Sequence, residues 1–187
     1  SSAASDVYKR QQYDTLVYSM DQKLLIGHDA YVVAEKLGLM DKLYLVSPLD
    51  ILTLPVDPIK LGLNMHMYED HMSYIGKRVV VMRFTRILDD EGKLYRHIYF
   101  LCRDTVDKLS IELKRVYDEL VKSLKTSVSS FIDTVSNHVE KLLSTPQVYS
   151  VIDSYMAFFK EYDPLIIEGY NDVSSPTLGS LNVDYVV

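Results

Sequence analysis

The densest group of residues that could bind a metal lies between positions 65 and 72. Met65, His66, Met67 and His71 carry thioether and imidazole groups, which are ligands for a soft or borderline metal such as copper. His66 and His71 are five residues apart, however, and this spacing does not place two side chains on one helix face. The alternative is that the methionines fill gaps in a core. We therefore expect no metal and no cofactor, and these four residues are only weak candidates.

Cys102 is the single cysteine of the chain, and His97 precedes it by five residues. A nucleophilic cysteine needs an adjacent base and an accessible, polar setting. The end of a predicted strand favours a buried structural thiol instead. The chain also has no phosphate-binding glycine motif and no serine-hydrolase elbow. We expect no catalytic residues, and the sequence favours a protein that is not an enzyme.

Basic residues concentrate between positions 77 and 103, which carry a net charge of +4 in a chain of net charge -6. Aromatic residues such as Phe84 and Phe100 alternate with them, and such a surface can bind phosphates and stack bases. The alternative is that these cations pair with acidic residues or are solvated, and an acidic domain repels nucleic acid at long range. The candidate phosphate or nucleic-acid contacts are Lys77, Arg78, Arg83, Arg86, Lys93, Arg96 and Arg103.

The elements that must position these residues indicate an α+β fold. Two apolar runs rich in Val, Ile, Phe and Tyr flank the turn at 89–92, which predicts an antiparallel hairpin over about 78–102. An apolar stripe from Val106 to Leu142 repeats at the helical period and predicts a long amphipathic helix over about 104–144. The weak helix formers at 126–130 are where such a helix would break. Pro146 suits the first position of a second helix, over about 146–162.

The N-terminal half is less regular. Residues 12–26 predict a short strand or helix, and Asp29 and Gly38 suit the two ends of a helix. Three prolines make 43–63 an extended connector, with a strand from 43–54 as a further member of the sheet. Residues 64–76 predict another helix.

The first eleven residues are predicted not to be native. One DNA sequence that could encode these residues reproduces a tagmentation sequencing adapter, so we exclude them from the interpretation of the fold. We expect a single α+β domain over 12–162, truncated at its N-terminus, and a mostly irregular acidic tail over 163–187. The adapter also suggests an environmental or transcriptome assembly as the source.

These features predict a non-catalytic structural or assembly protein that acts through protein–protein contacts, of viral or phage origin or from an uncultured organism. We expect a protein partner or self-association, and neither nucleic acid nor a membrane surface as a partner. The alternative is a nucleic-acid-binding domain or small enzyme that uses the basic hairpin at 77–103. A single cysteine and the absence of a long apolar run predict a soluble, cytoplasmic-type protein.

Deletion of residues 1–11 is expected to leave the melting temperature unchanged. A translated adapter was never selected to pack against a core, and chain ends fray unless they are tied down. Thermal unfolding of the full and shortened chains measures this. A melting temperature several degrees lower in the shortened chain would contradict the prediction.

Overall fold

The structure is a computed structural model that describes residues 13–54, 78–162 and 166. It confirms the α+β class. The predicted helix at 64–76 and almost all of the predicted tail at 163–187 lie outside the described residues. The helices are α1 (13–22), α2 (His28–Leu37), α3 (Leu43–Val46), α4 (Arg103–Val106), α5 (Ile111–Ser123), α6 (Ser136–Leu143) and α7 (Pro146–Tyr155), with 3-10 turns at Met40–Lys42 and Met156–Phe159. The strands are β1 (Leu49–Thr53), β2 (Val79–Ile87), β3 (Tyr95–Cys102) and β4 (Ser129–Thr134).

The predicted hairpin is confirmed, and it forms the centre of a sheet with the order β1-β2-β3-β4. Strands β2 and β3 are antiparallel, with Phe84 opposite Ile98. Gly92 in the connecting turn has a φ of 72°, a left-handed conformation that glycine adopts without a steric penalty. Strand β1 pairs antiparallel with β2, so the expected additional strand is present at Leu49–Thr53, but the start of the predicted extended connector is wrong, because Leu43–Val46 is helical.

The predicted long helix over 104–144 is wrong, because strand β4 lies within that segment. That segment contains α4, α5, β4 and α6, and β4 pairs in parallel with β3. Two neighbouring parallel strands need a crossover connection, because the chain must return to the end of the sheet where it started. Helix α5 is the main element of this crossover, between β3 and β4.

Local side-chain hydrogen bonds explain why the helix is interrupted. The hydroxyl of Ser110 accepts a hydrogen bond from the Leu113 amide at 3.3 Å and begins α5 afresh. The hydroxyl of Ser129 lies 2.8 Å from that of Thr126 and donates to the Leu124 carbonyl at 2.8 Å. Such bonds compete with the helical backbone. Helix α5 ends at Ser123, just before the segment of weak helix formers, and the chain then pairs with β3 from Ser129.

Smaller corrections concern helix ends. Helix α2 begins at His28, after Gly27, and Asp29 lies in its first turn. Gly38 ends the helix with a φ of 68°, as its position predicted. The second predicted helix, 146–162, does begin at Pro146 but is α-helical only to Tyr155, after which a 3-10 turn continues to Phe159.

The two faces of the sheet are covered by different helices. On the first face, Val81 and Tyr99 of the hairpin pack in one cluster with Leu120 and Leu124 at the C-terminal end of α5. On the second face, a smaller cluster contains Val139 of α6. The other buried members of that cluster are Val79, Met82 and Cys102. Side chains alternate between the faces along each strand, so the register decides which face a residue joins.

Tyr155 completes the edge of β2 beyond the end of β1. Its hydroxyl donates to the Thr85 carbonyl at 2.7 Å and accepts from the Ile87 amide at 3.1 Å. Both backbone groups point away from β3, toward the side where β1 no longer pairs. The ring of Tyr155 is almost fully buried, so water cannot easily replace these bonds. One side chain of α7 therefore takes the place of a missing strand neighbour.

Tyr155→Phe is expected to lower the free energy of unfolding by about 1–3 kcal/mol, because it leaves two sheltered backbone groups without a partner. Urea denaturation measures the change. Tyr149→Phe is the matched control, since Tyr149 is half-buried on the same helix and, among the described residues, its hydroxyl has no hydrogen-bond partner. Equal effects of the two substitutions would contradict the prediction.

Candidate functional site

Arg83 is fully buried at the centre of the fold, on the first face of the sheet. Its Nε donates to the carbonyl oxygen of Leu25 at 2.7 Å, and its Nη2 donates to that of Ser47 at 2.6 Å. Its Nη1 donates to the hydroxyl of Thr85 and reaches the carbonyl oxygen of Pro48 at 3.5 Å. All three nitrogens of the guanidinium are thus bound to protein acceptors. Arg83 has a structural role and is corrected from a phosphate contact to a core residue.

Asp50 supplies the negative charge beside this arginine. The two residues lie opposite each other in the β1–β2 register, and Nη2 of Arg83 donates to the Asp50 carboxylate. The Ser47 hydroxyl donates to the same carboxylate at 2.8 Å, and the Gly27 amide does so at 3.0 Å. Burial raises the pKa of Asp50, while Arg83 and these two donors act in the opposite direction. The pair joins β1, β2 and the turn before α2.

His97 continues the polar cluster into β3. Its Nδ1 lies 3.0 Å from the Thr85 hydroxyl, and the ring centroids of Tyr95 and His97 are 5.1 Å apart. Burial, with a smaller contribution from the positive charge of Arg83, lowers the pKa of His97 to about 3. The ring is therefore neutral at physiological pH, and so low a pKa makes it a weak general base.

Cys102 is buried and unpaired, as the sequence predicted. Burial and the nearby Asp104 raise the pKa of its thiol to about 12. The thiol consequently remains protonated at neutral pH, and the thiolate that a nucleophile or metal ligand requires is not formed.

The basic residues of the hairpin separate into bound and unbound cations. Arg78 is buried and donates to the Leu54 carbonyl. Lys93 pairs with Glu91 at 2.6 Å on the surface. Lys77 lies outside the described residues, and so do the candidate metal ligands Met65, His66, Met67 and His71.

Arg103 forms a bidentate ion pair with Asp133, in which its Nε and Nη2 donate to the two carboxylate oxygens at 2.9 and 2.7 Å. Arg86 and Arg96 are exposed and face each other in the β2–β3 register. Within residues 13–54 and 78–162, neither of these two arginines forms an ion pair or a hydrogen bond through its side chain. Of the predicted phosphate contacts that the structure describes, these two are the ones whose side chains are in neither an ion pair nor a hydrogen bond.

Two further properties concern the described residues alone. They contain no group of three or more His, Cys, Asp or Glu side chains that could hold a metal ion. No helix in these ranges has the length and apolar character that crossing a membrane requires.

An apolar groove lies between α1 and α5, at the end of β1. Its cavity has a volume of about 190 Å³. Tyr13 and Leu113 line it and remain 68% and 42% exposed. The other lining residues are Leu16, Leu52, Thr53, Leu54, Val80, Leu109, Val116, Tyr117 and Leu120.

Sequence reasoning did not find this groove, because the residues that line it come from four separate elements. One signal was available: Ile111 and Leu113 lie two residues apart at the start of α5, which is about 200° around the helix, so they cannot both lie on its buried side. They are 69% and 42% exposed.

The chain matches no protein-family model, no curated protein and no solved structure. Its function must therefore be inferred from its own residues.

We expect His97 to make the protein sensitive to acid. Its pKa is about 3 when folded and about 6.5 when exposed, so the unfolded chain binds a proton first as the pH falls. The stability that His97 contributes is complete above pH 6.5 and is lost as the pH falls toward 3. Between about pH 6.5 and 4.5 the loss attributable to this one residue is about 2–3 kcal/mol.

Urea denaturation of the wild type and of His97→Gln at these two pH values isolates that share. Asp104 and Asp133, whose pKa values are lowered, also lose stability in acid, but they do so in both proteins. His138→Gln at an exposed histidine is the control. An equal loss of stability in the wild type and His97→Gln would contradict the prediction.

Proposed function

We propose that this chain is a non-catalytic structural or assembly protein that acts by contact with other protein chains. The observation that carries the proposal is the apolar groove between α1 and α5. Its volume of about 190 Å³ is below the roughly 300–1,000 Å³ of small-molecule pockets. A cavity of this size instead suits one or two large apolar side chains of another protein, of the kind that anchor protein interfaces.

The surroundings of the groove support an interface. Tyr13 and Ile111 are 68% and 69% exposed, and Val17 on α1 is 40% exposed. Tyr13 and Leu113 line the cavity itself, Val17 lies one helical turn from Tyr13 on α1, and Ile111 begins the same helix as Leu113. Exposed apolar side chains around an apolar cavity are typical of interaction sites.

The protonation states of the two reactive side chains also favour a non-catalytic role. The thiol of Cys102 remains protonated, and the imidazole of His97 is neutral and weakly basic. Both are buried, so a substrate would have to displace core side chains to reach them. Among the residues that the structure describes, only Arg86 and Arg96 still support the alternative function based on the basic hairpin.

Self-association is the form of this proposal that a single purified protein tests. We expect the wild type to associate reversibly in sedimentation measurements over roughly a hundredfold range of concentration, since mass action then shifts the populations. Leu113→Lys should abolish association, because a charge at the mouth of the groove would have to be desolvated on binding.

Val33→Lys is the matched control. Val33 on α2 is 45% exposed, close to the 42% of Leu113, and it does not line the groove. This variant should associate as the wild type does. A wild type that stays monomeric at every concentration would contradict self-association. An equal loss of association in both variants would show that the groove is not the interface.

A further inference from the structure

Arg86 and Arg96 form a pair of like charges, and neither guanidinium is in an ion pair with a described residue. The Leu88 amide donates to the Leu94 carbonyl at 2.8 Å, so these two residues form a hydrogen-bonded pair of the hairpin. Such pairs recur at every second position of an antiparallel ladder, and the next one is Arg86 opposite Arg96. The Cα atoms of such a pair are about 5.5 Å apart. Like charges placed directly opposite each other destabilise a sheet. An anion between the two guanidinium groups would convert this repulsion into attraction, and arginine binds phosphate through paired hydrogen bonds.

An aromatic ring lies beside this pair on the second face of the sheet. Phe84 is two residues from Arg86 on β2, which is about 7 Å along the strand. It is half-buried and stands opposite Ile98, which is also half-buried. Phe100, one pair further along, packs against the cluster that α6 covers. Phe84 belongs to none of the buried clusters of the described residues, so part of its ring is available for contact.

We propose that this end of the second face binds single-stranded nucleic acid. Arg86 and Arg96 hold one phosphate between them, and a neighbouring base stacks on the exposed part of Phe84. Base stacking on aromatic side chains and phosphate contacts with arginine are the two components of sequence-tolerant single-strand binding. The proposal does not depend on the protein-contact function, since the groove lies between α1 and α5 and uses other residues.

The charge of the whole chain limits the strength of this binding. The net charge of -6 opposes the approach of a polyanion, and only two cations contribute to the contact. We expect dissociation constants of about 10⁻⁵ to 10⁻⁴ M at low salt, in the range of non-specific binding, and a loss of binding as the salt concentration rises. The proposal departs from the expectation, drawn from the net charge, that nucleic acid is not a partner, and it does so only for weak binding.

The test measures fluorescence anisotropy of a labelled single-stranded RNA of ten nucleotides at several salt concentrations. Arg86→Gln combined with Arg96→Gln should weaken binding at least tenfold and reduce the salt slope by about 0.7, the contribution of the one phosphate that the two arginines hold between them. The control combines Lys93→Gln with Arg103→Gln. It has the same net charge but removes cations already bound to Glu91 and Asp133, so its affinity should stay within twofold of the wild type.

Two substitutions at Phe84 test the stacking contact. Phe84→Leu keeps an apolar side chain but has no aromatic face, so affinity for the RNA should fall about tenfold. Phe84→Tyr keeps the ring and should bind as the wild type does, and thermal unfolding of each variant shows that it is folded. Inorganic polyphosphate serves as the competitor that has charge without bases, and it should compete poorly.

Three results would overturn the proposal. The first is a wild type that fails to bind the RNA at millimolar protein concentration in low salt. The second is an equal loss of affinity in the two double variants, which would show an effect of net charge alone. The third is unchanged RNA affinity in Phe84→Leu together with strong competition by polyphosphate, which would assign the site to anions in general and not to nucleic acid.

Discussion

The guanidinium of Arg83 is the interaction on which the rest of the described fold depends. Transfer of a permanent charge from water to a protein interior costs several kcal/mol, and the cost is offset only when the charge is paired and its donors are bound. Here the carboxylate of Asp50 pairs with the guanidinium, and the carbonyl oxygens of Leu25, Ser47 and Pro48 accept hydrogen bonds from its nitrogens. Because those carbonyls lie in the turns before α2 and β1, one side chain of the hairpin fixes the path of the chain between Leu25 and Asp50.

This arrangement also explains the protonation state of His97. The hydroxyl of Thr85 joins the guanidinium to the His97 ring, so the imidazole completes a polar network inside the core. The loss of water on burial, and to a smaller degree the positive charge of Arg83, disfavour a second cation. Burial therefore keeps the histidine neutral, and the arginine that organises the fold contributes to this.

The sequence predicted the parts of the fold that depend on local chemistry. The hairpin, the end of α2 at Gly38 and the start of α7 at Pro146 each follow from turn residues or backbone restriction. The error over 104–144 had a non-local cause. Apolar residues at a spacing of 3.6 continue through β4, but the free edge of β3 offers that segment backbone partners that a helix period cannot reveal.

The candidate sites also divide into features that local sequence signals and features that depend on how distant elements pack. Strand alternation places Arg83 on the same face as Val81, and Arg86 on the opposite face, so the sequence contained a signal that the two arginines have different roles. The sequence could not show which face the helices cover more fully, because that depends on α5 and α6 folding onto opposite sides. The groove depends in the same way on α1 and α5, whose contact spans most of the described chain.

The hydroxyl of Tyr155 also determines when the sheet can be completed during synthesis. It bonds to a carbonyl of β2 that lies 70 residues earlier in the chain. At roughly 5–20 residues per second, the ribosome needs about 4–14 seconds to add that length. Throughout this interval the end of β2 presents an unpaired edge, which is a template for pairing with another nascent chain. The last helix of the described fold is therefore also the element that ends this period of exposure to misassembly.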